Sequence, residues 1–234
     1  MFARLWKYAV YRYERFYPDT KRWLVNYFHP FTLEADGFYR RNYTSKSHYY
    51  RHQMSRRITK FALRPERMDD HWEKWYPEFT EIEQLKPGKS ILCVGAREGA
   101  EVQALRQMGL FAIGMDVSVA HHSQYTHFGD MHAIPYSDGC CDAIYTNVLN
   151  HSHDVHAAAR ELYRILKPAT GVLILDLRFG VDEGAKLDGL HHSIAWSRSE
   201  LVTKIFESLG FEILKSGLFR RRPLFMRYIM QKVR

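Results

Sequence analysis

The sequence predicts an α/β fold in which a seven-stranded, mostly parallel sheet carries helices on both faces, preceded by an N-terminal, mainly helical extension. Three observations predict it. From Pro87-Gly88 onward, short apolar runs alternate with stretches of helical period, which is the pattern of a parallel sheet covered on both sides. The run Ser90–Val94 stops at Gly95, crosses a short loop to Gly99 and re-enters a helical pattern, so a strand, a tight turn and a helix follow one another. Composition also changes near residue 75. This divides the chain into a basic, aromatic-rich extension, 1–75, and a strand–helix domain, 76–234.

The elements follow in order. Phe2, Leu5, Trp6, Ala9, Val10, Tyr13 and Tyr17 recur at helical spacing, with Arg4, Lys7, Arg12 and Arg15 mostly off that stripe. Such a helix packs on the main domain or lies on a membrane surface with aromatic anchors. Phe28-His29-Pro30 and Tyr43 to Ser47 read as turns or loops, and a helix is expected from about Ser47 to Leu63, broken at Arg64-Pro65. Strands are expected at Ser90–Val94, Phe111–Met115, Tyr125–Phe128, Asp142–Thr146, Gly171–Leu177, Phe211–Lys215 and Leu224–Gln231. Helices are expected at Ala100–Met108, closed by Gly109, at Val155–Leu166, stopped by Lys167-Pro168, and at Glu200–Leu209, closed by Gly210. In such a sheet, ligands bind at the carboxyl ends of the strands.

Bulk properties narrow the function classes. At 234 residues and 46% hydrophobic, the chain suits one sizeable soluble domain with an extension. No apolar run approaches the roughly 18 residues needed to span a bilayer. Arg4 and Lys7 interrupt the first ten residues, so no secretory leader is expected. The cysteines are Cys93, Cys140 and Cys141; they suggest neither a disulfide framework nor a zinc site and fit a reducing, cytoplasmic compartment. Charge is unevenly placed. Residues 1–75 hold 16 basic against 8 acidic residues, 76–214 hold 11 against 18, and 215–234 hold 7 against none. The basic ends are either solvated faces or contacts for an anionic surface, such as a membrane.

Chemistry concentrates at consecutive strand ends. Gly95 and Gly99 flank the first loop, where glycine lets backbone approach a ligand. Asp116 closes the second strand about 20 residues on, where a carboxylate can accept both hydroxyls of a ribose or cap the next turn. Asp130 follows the third strand, placed to accept an exocyclic amine or, again, to cap. Histidine suits proton removal near neutrality. The candidates for a general base are His151 and His153, just past the fourth strand, and His191 and His192, after the fifth. His151, His153 and His156 do not share a helix face and no carboxylate set joins them, so no metal is expected.

The stretch Gly129 to Asn147, with Asp130, Ile134-Pro135-Tyr136 and Asp142, resembles the second half of the class I S-adenosylmethionine-dependent methyltransferase core. Glu161-Leu162-Tyr163-Arg164-Ile165-Leu166-Lys167-Pro168 through Gly171 resembles that family's helix-to-fifth-strand segment. The likeness runs from about Ser90 to Leu214. It implies a Rossmann-like sheet, S-adenosyl-L-methionine as cofactor, and methyl transfer to a small molecule, glycan or lipid-linked metabolite, most readily at oxygen. By the same likeness, Gly95, Ala96, Arg97, Glu98 and Gly99 border the methionine and ribose, and Asp116 binds the ribose with Val117 beside the adenine. Asp130 and Met131 bind the adenine, and Asn147 faces the amino-acid end. Two positions depart from the family. Cys93 stands where an acid is usual, and Arg97 replaces the middle glycine of the loop. These departures motivate an alternative: a catalytically inactive, binding or regulatory protein, peripheral to a membrane in one version. Asn147-Val148-Leu149-Asn150 lacks the Pro-Pro-Tyr tetrad of base-amine methylation, so nucleic acid is the weaker acceptor.

Overall fold

The computed structural model describes residues 30–60, 72–119, 123–187, 189, 191–219 and 224–233, with the backbone alone for 55–60. The aromatic stripe of residues 2–17 and most of the Phe28-His29-Pro30 turn therefore lie outside the described residues.

Seven strands form the main sheet: β3 (Ser90–Val94), β4 (Phe111–Asp116), β5 (Thr126–Phe128), β6 (Ala143–Thr146), β7 (Val172–Arg178), β9 (Phe211–Leu218) and β10 (Phe225–Lys232). Their order is β5-β4-β3-β6-β7-β10-β9. The first five run parallel, and β10 inserts antiparallel between β7 and β9. The expected seven-stranded, mostly parallel sheet is thus present, with β9 running on past its expected end at Lys215 to Leu218 and β10 shifted by one residue from the expected Leu224–Gln231. The chain steps outward from β3 to β4 and β5, then returns to the other side of β3 with β6. That reversal opens a crevice at the carboxyl ends of β3 and β6, the ordinary ligand position in open α/β sheets.

Central strands are apolar on both faces because helices cover both. Ile91, Leu92, Cys93 and Val94 of β3 are all buried, as expected for an interior parallel strand. Helix α3 (Ala100–Gln107) follows the glycine loop, and Gly109, at φ 82°, helps end it. Helix α4 (Val155–Ile165) starts where the Asp154 side chain accepts from Ala157 N–H at 3.0 Å. It buries Val155, Ala158, Ala159, Leu162 and Ile165 along one face. Helix α5 (Glu200–Leu209) ends at Gly210, whose φ of 105° favours glycine.

The extension is not purely helical where it is described. A hairpin of β1 (Phe31–Leu33) and β2 (Phe38–Arg41) precedes helix α1 (Lys46–Lys60), and a five-residue helix, α2 (Tyr76–Thr80), follows. β2 also pairs antiparallel with an unforeseen strand, β8 (Ile194–Trp196), to form a second, three-stranded sheet. Strands of three or four residues are too short to show period-2 alternation. Long-range pairing holds them: Ser197 N–H donates to the Gly37 carbonyl, and Trp196 Nε1 donates to the Arg178 carbonyl. Phe38 of β2 is buried in the same core as Leu175 and Trp196. The extension is thereby fastened beside the carboxyl end of β7.

A candidate cofactor cleft and its histidine rim

The loop after β3 turns tightly because its backbone allows it. Gly95 has φ 84°, and a β-carbon there would lie 2.2 Å from Val148 Cγ2. Only glycine fits without moving the chain that leaves β6. Gly99 has the same left-handed φ at the start of α3. Arg97, between them, holds φ 39°, a conformation that costs a side chain about 1–2 kcal/mol. Its guanidinium is buried beside Glu98, at 3.5 Å, and burial lowers its pKa. Cys93 is fully buried and its thiol is pushed well above the ordinary range by burial. It is therefore a neutral packing group.

A narrow cleft opens at the strand ends, the position where open α/β sheets hold their ligands. Gly95, Arg97, Asp116, Val117 and Met131 line it, with Ser118, Gly129 and Val148. Five of the ten expected cofactor residues are thus brought to one wall. Asp116 Oδ1 accepts from Ser118 N–H at 2.6 Å, tightening the turn after β4. The Ser118 hydroxyl, buried in that wall, has no hydrogen-bond partner among the described residues. A buried hydroxyl left this way calls for a ligand or water.

The other five are not among the residues lining that cleft. Ala96 packs into the core, Gly99 lies against Thr126 and Ser123, and Glu98 stands beside Arg97. Asn147 is buried and donates to Tyr145 Oη at 3.0 Å, and Tyr145 donates in turn to Asp176, which Arg227 also grips. Asp130 takes hydrogen bonds from Tyr50 Oη, from His132 N–H at 3.0 Å and from His132 Nδ1 at 2.6 Å. Burial opposes its ionisation, but the bonds from His132 and Tyr50 outweigh that and hold the carboxyl well below its ordinary range. Burial, with Asp130 alongside, raises the Tyr50 phenol to about 12.

The four candidate histidines lie close together but in different settings. His151 lines the cleft. Its Nδ1 is 2.8 Å from the His191 carbonyl, which can only accept. Nδ1 is therefore protonated, and Nε2 is the lone-pair nitrogen of the neutral ring. His192 is the reverse: Arg178, a pure donor, reaches its Nδ1 at 2.9 Å, so its proton sits on Nε2. His153 stacks on Tyr49 with ring centroids 4.5 Å apart, and its Nδ1 is 2.9 Å from His132 Nε2. Burial and then His132 lower its pKa to about 4, so it is neutral at pH 7. His191 packs its ring 5.5 Å from that of His52.

Sequence reasoning missed what α1 does. Tyr49 and Gln53 are four residues apart and share a helix face, and both roof the cleft. Tyr49 Oη donates to the His151 carbonyl at 3.1 Å, and Gln53 Nε2 donates to the His191 carbonyl and to Ser193 Oγ at 3.0 and 2.8 Å. The i, i+4 spacing was visible; its target, some 100–140 residues away, was not. His132 was missed too, although the Asp130-x-His132 spacing is a local signal. Among the described residues, no group of three or more His, Cys, Asp or Glu is placed to hold a metal ion. None of their helices is long and apolar enough to cross a membrane.

Comparison with known proteins agrees with this geometry. A family model for a methyltransferase domain matches residues 92–175. The malonyl-[acyl-carrier protein] O-methyltransferase of Erwinia billingiae (strain Eb661) is 27% identical over 139 residues, covering 55% of this chain and 52% of the relative. The chain thus spans about half the length of that curated relative. A Haloferax volcanii protein solved in complex with the Trm112 methyltransferase activator superposes with TM-score 0.59 at 15% identity, covering 72% and 92% of the two chains. The [4+2]-cyclase SpnF gives TM-score 0.57 at 18% identity, over 69% and 80%. The geranyl diphosphate C-methyltransferase of Streptomyces coelicolor A3(2), solved with S-adenosyl-L-homocysteine, gives 0.55 at 13%, over 69% and 76%. At such identities the structural likeness speaks for the fold alone, as the cyclase among these neighbours illustrates. Residues 92–175 thus match a methyltransferase domain, and the sheet order and glycine loop around them are those of a Rossmann-like fold.

Proposed function

We propose that the chain transfers the methyl group of S-adenosyl-L-methionine to an oxygen of a small molecule, with His151 as the general base. The observation that carries this reading is one cleft at the carboxyl ends of β3 and β4 with His151 on its rim. The residues present fit the cofactor: Gly95 leaves room that a β-carbon would fill, and Asp116 and the Ser118 hydroxyl, without a hydrogen-bond partner among the described residues, offer polar groups to a ribose or adenine. When bound, S-adenosylmethionine supplies an electrophilic methyl group on a sulfonium. The chain's part is to align the acceptor and to remove a proton. His151 Nε2 would take the hydroxyl proton, so that the acceptor oxygen could accept the methyl group as its bond to the sulfonium breaks and the neutral thioether leaves. Tyr49 and Gln53 roof the site and hold the 191–193 segment against it. Glycan and lipid-linked acceptors are members of the same oxygen-nucleophile class.

Calorimetric titration with S-adenosylmethionine and S-adenosylhomocysteine tests the reading. Binding of one equivalent, followed by S-adenosylhomocysteine formation in a cell metabolite extract, is the expected result. No heat and no thermal shift at millimolar cofactor would reject it.

A further inference from the structure

We infer that Asp130 and His132 are positioning residues that clasp α1 over the cleft through Tyr50 and His153. The clasp sets how fast cofactor enters and leaves. This role rests on the methyl-transfer reading, to which it adds the fastening of the roof.

The contacts close on themselves. Tyr50 Oη donates to Asp130 Oδ2, and Asp130 Oδ1 accepts from His132 N–H at 3.0 Å and from His132 Nδ1 at 2.6 Å. On the far side of that ring, His132 Nε2 lies 2.9 Å from His153 Nδ1. His153 stacks on Tyr49 with centroids 4.5 Å apart, and His132 meets the same Tyr49 edge-on at 5.9 Å. Tyr49 and Tyr50 are consecutive residues of α1, so neighbouring side chains of one helix grip both ends of this chain of groups.

Each link has a chemical direction. An ionised carboxylate only accepts, so the His132 nitrogen facing Asp130, Nδ1, carries a proton. Nε2 is left to His153 and to Ser152 Oγ, which lies at 2.7 Å and is fixed in turn by accepting from Asp154 N–H at 3.0 Å. The His132 and Asp130 side chains are only 7% and 16% exposed. Bonds to a charged group so sheltered from water are stronger than the same bonds at the surface. Ser152 is fully buried, so this Asp–His–Ser row is closed to substrate and serves to hold rather than to react.

Position links the clasp to the cleft. Gly129 and Met131 flank Asp130, His151 precedes Ser152, and all three line the cleft with Tyr49. Tyr49 is itself 1% exposed, so cofactor passes this roof only when α1 lifts. Tyr50, Asp130, His132 and His153 are not among the lining residues. The clasp is therefore the same with the site empty or filled. It slows entry and exit alike and leaves affinity unchanged, because a contact made equally in both states shifts no binding equilibrium.

The test follows S-adenosylhomocysteine binding to the full chain by stopped-flow fluorescence, together with hydrogen exchange of the α1 amides at residues 46–54. Tyr50→Phe, which removes one hydroxyl, and His132→Leu should each raise both the association and the dissociation rate at least about fivefold, with affinity held within about twofold. Amide exchange in α1 should quicken while that in α4 stays unchanged. His132→Asn, whose amide nitrogen can still donate to Asp130, should restore part of the slow binding kinetics. The double variant Tyr50→Phe/His132→Leu should change the rates by less than the two single effects combined, since both break one chain. Unchanged rates in a folded Tyr50→Phe would overturn the proposal. So would a lower melting temperature without a rise in both rates, which marks a purely structural role. Weaker affinity in Asp130→Asn with no effect of Tyr50→Phe would also overturn it and assign Asp130 to the adenine. If S-adenosylhomocysteine fails to bind, the methyl-transfer reading falls, and α1 exchange in Tyr50→Phe decides the clasp by itself.

Discussion

The floor of the cleft runs from Gly95 to Asp116 through two adjacent strands, whereas its roof, Tyr49 and Gln53, reaches His151 and Ser193 across 102 and 140 residues. The floor is made by turns whose geometry is a property of a few consecutive residues. The roof is made by side chains that meet only after the extension has docked beside β7. The two halves should therefore fail differently: the floor by losing the cofactor, the roof by loosening while the cofactor still binds.

The largest expected effect is on the floor. Gly95→Val places a side chain into Val148 and forces φ 84° on a β-branched residue. Strain and overpacking together should cost about 3 kcal/mol or more of stability, with cofactor binding abolished. Thermal denaturation and calorimetry check both. A variant with wild-type affinity would show that the loop does not face the cofactor.

Asp116→Ala comes next. It should weaken S-adenosylmethionine binding by at least about tenfold, or 1.4 kcal/mol, with a smaller change in melting temperature. Unchanged affinity would reduce Asp116 to the turn residue seen in its bond to Ser118.

Gln53→Ala tests the roof. It removes two hydrogen bonds to the 191–193 segment and should cost about 1–2 kcal/mol, lowering turnover while leaving cofactor affinity within about twofold. A cofactor affinity that fell as far as in Asp116→Ala would erase the distinction between the halves.

The last effect is on pH dependence. His153 is held near 4 when folded, below its unfolded value of about 6.5. Its neutral form is favoured in the fold, so this stabilisation is complete above the unfolded pKa. It is lost as pH falls from about 6.5 toward 4. His153→Asn should flatten that part of the stability–pH curve. Equal slopes in both proteins, measured by urea unfolding at pH 4.5 to 7, would contradict the assignment.

Much of the sheet was legible because each apolar run ends at a residue with a physical reason to end it: Gly95 and Gly210 by left-handed φ, Pro168 by its missing N–H. β8 and the β1–β2 hairpin were not, since strands of three or four residues carry too little pattern and are held by partners far along the chain. The same division runs through the site. The carboxylates Asp116 and Asp130 were both singled out by position, yet one lines the cleft while the other is engaged by Tyr50 and His132. Spacing along the chain locates a side chain at a strand end but does not say which neighbour will claim it.

Local periodicity, glycine placement and strand-end carboxylates were enough to imply a parallel sheet, its crevice and an S-adenosylmethionine-type floor, because these depend on backbone conformation and short-range spacing. The roles of the histidines came from packing. Which nitrogen of His151 or His192 holds the proton depends on a carbonyl 40 residues away and an arginine 14 residues away, and nothing in the order of residues specifies those encounters before the chain is folded.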